Sequence, residues 1–332
     1  DMQYALDMMA GFAANPNVYG TVLVGIGCET CQCDMVAAEI RKRTDKPLKT
    51  FVIRQEGGTL RTVEKAVREV KDMVAEASRL QREPFPVSEL LLATECGGSD
   101  PTSGIAANPV IGALSDRIVE LGGGVILSET TEFIGAEDIL VKRAATPEVK
   151  ERILDIVGRY EEHFLRCGEN VRLGNPTPGN IAGGLTTLEE KSLGCIHKGG
   201  ETTIRAVYDY AKQIPAEQKG LVIMDTPGND ASSMAGMAAG GAQVCVFSSG
   251  HGTPIGCPLM PVIKITGNHE SFQLMKDNID FDASPALTGE KTIDQLAEEL
   301  YAMLMDTADG QETKAEILGY TETAVMRACN YV

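Results

Sequence analysis

Between Asn175 and Gly200 the chain reads NPTPGNIAGGLTTLEEKSLGCIHKGG, with chemistry-bearing side chains set among glycines and prolines. Glu189 and Glu190 are adjacent carboxylates, followed by Lys191, Cys195, His197 and Lys198. Glycine and proline hold backbone in special dihedrals and let it approach other groups closely. Charged and sulfur groups among them point to a ligand, and a loop of this length inside a compact domain needs a job. Thr186 or Thr187 can cap a short helix, TLEEKSLG, that Gly194 ends. The plainer alternative is a glycine-rich surface loop with a solvated Glu-Glu-Lys face.

The same residue types recur where apolar runs stop. Successive runs end in Thr94-Glu95-Cys96-Gly97-Gly98, in Ser128-Glu129-Thr130-Thr131-Glu132, in Asp225-Thr226-Pro227-Gly228-Asn229-Asp230 and in Ser248-Ser249-Gly250-His251-Gly252. Ligands of open parallel sheets bind beyond the carboxyl ends of the strands, so these tips are expected to converge. Glu95, Glu129, Glu132, Glu189, Glu190 and Asp225 are oxygen donors suited to a hard divalent ion, and iron accepts such donors alongside thiolate or imidazole. Each alone also reads as a cap or solvated turn. Asp225 is favoured because it ends a buried strand, where a charge needs a partner.

Cys28, Cys96 and Cys195 each lie at a glycine-flanked turn. Converging, the three thiolates would hold an iron–sulfur cluster with an open iron. Cys31 and Cys33 would be spares, and Cys167 and Cys245 read as core or helix-end residues. Lys191, His197, Lys198 and His251 are candidate bases, whereas His163 and His269 read as surface or cap residues. No G-x-S-x-G elbow supports a serine nucleophile. Gly25-Ile26-Gly27 follows an apolar run but lacks the third glycine of the dinucleotide fingerprint. A nicotinamide-dependent oxidoreductase is thereby demoted.

At 332 residues two domains are expected. A net charge of −17 disfavours nucleic acid and anionic membrane as partners, but a local cationic site can still take a small anionic substrate. Nothing reads as a membrane span or a secretory leader, so the nine cysteines suggest reduced thiols in the cytoplasm.

The elements that must position these residues alternate. Residues 1–14 read as a helix, 21–27 as a strand, 35–43 as a helix, 49–54 as a strand, and a long helix runs from Thr59 to about Leu80. Arg82-Glu83-Pro84-Phe85-Pro86 breaks the pattern and marks a boundary between residues 1–85 and 86–332. Beyond it, strands are expected at 88–95, 123–129, 220–226, 242–249 and 261–267. Helices are expected at 108–121, 147–167, 201–213, 231–239, 292–305 and 314–318, with no heptad seam anywhere. The fold class is α/β: a mostly parallel sheet flanked by helices, with a smaller N-terminal α/β domain.

The runs TECGGSDPTSGIAANPVIG, ILSETTEFIGAE, GNPTPGNIAGGLTTLEEKSLGC, MDTPGNDASSMAGMAAGGAQV and PVIKITGN resemble the altronate/galactarate dehydratase family. The terminal MRACNYV looks closest to its branch that includes the large subunit of sulfolactate sulfo-lyase. The resemblance implies a Rossmann-like C-terminal domain, a smaller domain used in dimerisation, and a hydro-lyase of hydroxy acids that needs a divalent metal, usually Fe2+. Two departures accompany it. A glycine- and arginine-rich segment that the family carries ahead of the first strand is absent, as though the chain were truncated or processed, and the small N-terminal domain of some members would be a separate subunit. Where the family usually has arginine in GHGTPIG, this chain has His251, which does not clamp a carboxylate bidentately.

On this reading a small 2-hydroxy acid such as altronate, galactarate or sulfolactate chelates the metal and loses water or sulfite. The expected metal ligands are Glu95, Glu129, Glu132 and Asp225, with Cys96 and Cys195 as thiolate ligands. Lys191 or His197 would be the base. Asn108, Asn175, Asn180 and His251 would bind substrate oxygens, while Gly97, Gly98 and Gly228 allow close approach of backbone amides. A homodimer is expected. The rival from another class is a non-catalytic subunit that binds the sugar acid.

Overall fold

A computed structural model describes residues 2–324; the MRACNYV run lies outside the described residues. Continuous apolar runs bounded by glycine give strands that are buried on both faces. The inner strands of a seven-stranded sheet are of this kind, whereas the strands of a separate two-stranded sheet are half-buried to exposed. The small sheet pairs β1 (Thr21–Gly25) in parallel with β2 (Leu48–Val52). The large one contains β3 (Leu91–Cys96), β4 (Gly124–Leu127), β5 (Ile204–Tyr208), β6 (Gly220–Met224), β7 (Val244–Ser248), β8 (Val262–Thr266) and β9 (Phe281–Asp282). Every pairing in it is parallel, in the order β5-β6-β4-β3-β7-β8-β9.

The principal helices are α1 (Met2–Ala14), α2 (Cys33–Arg43), α3 (Thr59–Ala77), α4 (Asn108–Glu120), α5 (Pro147–Arg166), α6 (Leu188–Ile196), α7 (Asp230–Ala239) and α8 (Ile293–Ala308). Alternate residues of one strand serve the two faces of the sheet. Val244 and Val246 pack with Leu114 and Ile118 of α4, Ile153 of α5 and Leu300 of α8. Cys245 and Phe247 pack with Met234 and Met237 of α7 on the other side. The expected α/β architecture is present, and all eight cysteines among the described residues are unpaired. No helix of the described residues is long and apolar enough to cross a membrane.

Two expectations fail. Residues 201–213, expected to be helical, instead hold β5. Arg205, Asp209 and Lys212 sit three to four residues apart and imitate a helical polar face, but Ile204 is fully buried where β5 pairs with β6. A seam also exists where none was expected. Leu60, Val63, Val67, Val70 and Val74 are exposed along α3 at alternating spacings of three and four residues.

The N-terminal helix ties the two sheets' surroundings together, because α1 packs against both α2 and α7. Asn15, buried just after α1, donates to the carbonyls of Ala238 and Ala242 at 2.8 and 2.9 Å. Gly11 lets the helices touch: a Cβ there would lie 2.8 Å from Ala239 Cα. Alanine normally stabilises a helix relative to glycine by about 1 kcal/mol. Here overpacking reverses the sign, and Gly11→Ala is expected to lower stability by ~1–3 kcal/mol in urea unfolding. An unchanged or higher midpoint would show that α1 is free to shift.

Candidate active site

In the large sheet the chain builds outward from β3 on one side through β4, then crosses to the other side at β7. Loops leaving β3 and β7 therefore diverge, which opens a crevice at the carboxyl end of β3. A cavity of about 230 Å³ lies there, lined by Cys96, Gly97, Gly98, Ser99, Glu129, Glu132, Thr177, Gly179, Asn180, Lys191, Gly228, Asp230 and His251. These residues come from the ends of β3, β4, β6 and β7 and from the glycine-rich segment at 177–191.

On one side of the cavity Cys96, Glu129 and Cys195 meet, all buried, with one donor atom of each within 4.8 Å of the others. Cys96 Sγ is 3.6 Å from Glu129 Oε1, and Cys195 Sγ is 4.0 Å from Glu129 Oε2. A tetrahedral ion bound at ordinary lengths separates sulfur and oxygen ligands by about 3.6 Å, so the donor set fits a borderline-soft metal ion. Glu129 adopts φ 70°, a left-handed conformation rare outside glycine. Its N–H donates to Thr226 Oγ1 at 2.7 Å, and its Oε2 accepts the Cys96 N–H at 3.0 Å. Backbone strain of this kind persists only where surrounding contacts enforce it.

Lys198 reaches the same three atoms. Its ammonium is wholly buried, 2.8 Å from Cys96 Sγ and 3.0 Å from Cys195 Sγ, and it contacts Glu129 Oε2. Burial pulls the lysine down, but Cys195, Cys96, Glu129 and Glu95 more than offset it and hold it well above its ordinary value. The hydrogen bond to Cys195, with burial, pushes the Cys96 thiol up. Burial likewise raises Glu129, against the pull of Lys198.

Elsewhere in the cavity, Lys191 Nζ pairs with Glu132 Oε1 at 3.1 Å and donates to Asn175 Oδ1 at 2.9 Å. Burial opposes its charge, yet the Glu132 carboxylate leaves it above its usual value. Asp230 begins α7 and crowds Gly97, where a Cβ would lie 2.8 Å from its Oδ1. Burial, followed by the charge on Glu129, raises the Asp230 carboxyl to about 7. A carboxyl titrating near neutrality inside a cavity is poised for proton transfer.

The "D-galactarate/Altronate dehydratase, C-terminal" family model matches residues 87–330, and "D-galactarate dehydratase/Altronate hydrolase, second domain" matches residues 1–78. The chain belongs to the altronate/galactarate dehydratase family. It is 37% identical over 329 residues to "(2R)-sulfolactate sulfo-lyase subunit beta" of Chromohalobacter salexigens, covering 98% of this chain and 83% of that protein. Altronate dehydratase of Bacillus subtilis is 33% identical over 95% of this chain and 62% of its own length. Galactarate dehydratase (L-threo-forming) of Escherichia coli is 34% identical over 90% of this chain and 58% of its own length. The chain thus spans about six tenths of these two dehydratases.

Within this family frame, the expected site residues divide. Glu129, Glu132, Cys96, Cys195, Lys191, Asn175, Asn180, His251, Gly97, Gly98 and Gly228 line the cavity or touch residues that do. Asp225 is not among them: Thr130 Oγ1 donates to one of its oxygens at 2.7 Å, and Arg159 pairs with the other at 3.0 Å. The partner that a buried strand-end charge needs is an arginine. Glu95 is fully buried behind the cavity, its Oε2 accepting from Ser233 Oγ at 2.6 Å and Ser128 Oγ at 3.0 Å.

Asn108 spends its amide on Gly194 and Ser248 and so braces α4 and β7. Asn180 lines the cavity while its amide donates to Ser99 and its oxygen caps the turn at Thr177. His197 points outward at the start of a 3-10 turn, and burial beside Arg143 lowers its pKa. Glu129, not Cys28, stands beside the two buried thiols; Cys28 is exposed after β1. There the N–H groups of Gly27 and Cys28 donate to Glu29 Oε2 at 2.6 and 2.8 Å, so a carboxylate of the chain itself fills the place of a nucleotide phosphate.

Sequence reasoning named Lys198 only as a candidate base beside His197 and gave Asp230, at the end of the 225–230 turn, no role. Lys191, Cys195 and Lys198 fall at i, i+4 and i+7, one helical face, and that spacing was available. Asp230 carried no such signal. Its raised folded pKa means that the folded state holds an extra proton between the ordinary 3.8 and about 7, so stability falls as pH rises through that window and stays lower above it. Asp230→Asn should therefore gain on the unaltered protein between pH 5 and pH 8 in urea midpoints measured with a chelator present. A difference constant with pH would place Asp230 in water.

Proposed function

We propose that this chain carries the catalytic centre of a lyase that eliminates water, or sulfite, from a small 2-hydroxy acid or sugar acid. The supporting observation is a cavity at the sheet's switch point that combines a Cys–Glu–Cys donor group, a cationic Lys191 and a near-neutral Asp230, in a family of dehydratases and a sulfo-lyase subunit. A −17 chain draws an acidic substrate only through such a local site. Its unpaired thiols suit a reducing cytoplasm.

Cys96, Glu129 and Cys195 would hold a divalent ion of the Fe2+ class, whose chemistry when bound is Lewis-acid polarisation of the substrate carboxylate. Lys191, an ammonium beside Glu132, binds the acid's anionic end or protonates the departing group. Asp230, when ionised, takes the proton alpha to the carboxylate; the base role expected of Lys191 or His197 passes to it in this reading. Loss of that proton and of the beta hydroxyl leaves an enol, which ketonises to the 2-keto acid. Gly97 keeps the wall thin beside Asp230, and His251, against Gly183 at the rim, contacts the distal part of the substrate.

The direct experiment incubates the purified chain anaerobically with Fe2+ and altronate, galactarate or sulfolactate, with and without a candidate small subunit, and follows 2-keto acid or sulfite. Turnover on one acid is expected, falling ~10²–10⁴-fold in kcat for Asp230→Asn. Binding of an acid without turnover under any condition would favour a non-catalytic subunit instead, and full turnover by Asp230→Asn would remove it from the chemistry.

The apolar seam on α3 supports a homodimer in the same reading, since an exposed row of this kind on a monomer is rare without a partner. Val67→Asp should convert a dimer to a monomer in light scattering; a persistent dimer would move the interface elsewhere.

A further inference from the structure

The cation hole among Cys96, Glu129 and Cys195 has two claimants. Nζ of Lys198 stands 2.8 and 3.0 Å from the two sulfurs and touches Glu129 Oε2, the same residues that fit a metal ion. An ion bound to all three would crowd the ammonium, and two positive charges at such range in a buried site repel strongly. Both cannot occupy the hole. A lysine that serves only to neutralise one carboxylate has no need to be centred on two sulfurs as well.

The structure also offers Lys198 somewhere to go. Glu95 Oε1 is buried with no hydrogen-bond partner among the described residues, although its Oε2 accepts from two serines. Glu95 and Lys198 act on each other electrostatically. An orphaned buried carboxyl oxygen within electrostatic reach of a lysine is, when the acid is ionised, a vacant acceptor for its ammonium.

We propose that Lys198 is a placeholder: it holds Cys96, Glu129 and Cys195 in position when no metal is bound, and a loading cation displaces its ammonium toward Glu95. The inference rests on reading that trio as a cation-binding group. It makes Lys198 a positioning residue. The metal-free group is kept from collapse, and metal affinity is reduced by whatever it costs to move the lysine.

Co2+ alone is the probe, because its bond to thiolate gives a charge-transfer absorption absent from Co2+ bound to oxygen. Titrated under anaerobic conditions, Lys198→Met should show the thiolate band at a Co2+ concentration about tenfold lower or more than the unaltered chain. The metal-free variant should melt below the unaltered protein, and Co2+ should raise its melting temperature by the larger amount. Where Lys198→Met does not fold, Lys198→Gln carries the same titration. Equal or weaker Co2+ binding by the variant, with the thiolate band intact, overturns the placeholder and leaves the metal group standing. No thiolate band in either protein sinks the metal group itself, and the placeholder with it.

Discussion

An ammonium sealed from water costs several kcal/mol unless negative or polarisable atoms close around it. Lys198 is such a group, and the atoms that close around it fix the centre of the molecule. Cys96 comes from the end of β3, Glu129 from the turn after β4, and Cys195 from the last turn of α6. Removing any one leaves the others facing an imperfectly paired charge. The same demand accounts for the strained backbone of Glu129. In an ordinary β or α conformation its carboxylate would leave Lys198, Cys96 N–H and Cys195 together; the φ of 70° is held against those three contacts and the bond to Thr226.

The sheet explains why so many donors can be gathered at one point. Strands buried on both faces have little freedom to tilt or slide, so their carboxyl ends form a fixed rim. In β3 the register places Cys96 opposite Ser248 at the end of β7, where Ser248 in turn donates to Asn108 at the start of α4. Helix starts then add to the rim: Asp230 from α7, and the capped start of α6, where Thr187 accepts the Glu190 N–H. The polar groups at this rim are thus of two kinds. Asn108 and Asp225 hold the rim together, whereas Glu132, Lys191 and Asp230 face the cavity.

That division marks how far the sequence could be read. Strand ends and glycine turns were legible because burial and backbone freedom are local demands, and four of them do converge. Which carboxylate of a turn points inward was not: Asp225 and Asp230 flank one loop, and only the position of Arg159 on a distant helix claims the first. His197 and Lys198 are neighbours, and the change from α6 to a 3-10 turn sends one outward and the other to the centre. β5 was missed because an edge strand beside charged residues lacks the continuous apolar run of its neighbours. The row on α3 escaped because spacing alone does not tell an apolar helix face that is covered from one left exposed, as Leu60, Val63, Val67, Val70 and Val74 are.

The charges around the cavity do not balance without something further. Glu95, Glu129, Glu132 and Asp230 are carboxyl groups, and Lys191 and Lys198 are the ammonium groups among them. If every acid were ionised, two negative charges would remain uncompensated in a partly dry site, which low dielectric makes costly. Burial, and after it the charge on Glu129, raises both Glu95 and Asp230, the direction that eases this imbalance. A divalent cation held by Cys96 and Cys195 as thiolates would bring two positive charges with two negative ones, and so would leave this imbalance as it stands. In the proposed reading, burial and the charge on Glu129 therefore set the ionisation of Asp230, the group that would take the proton from carbon.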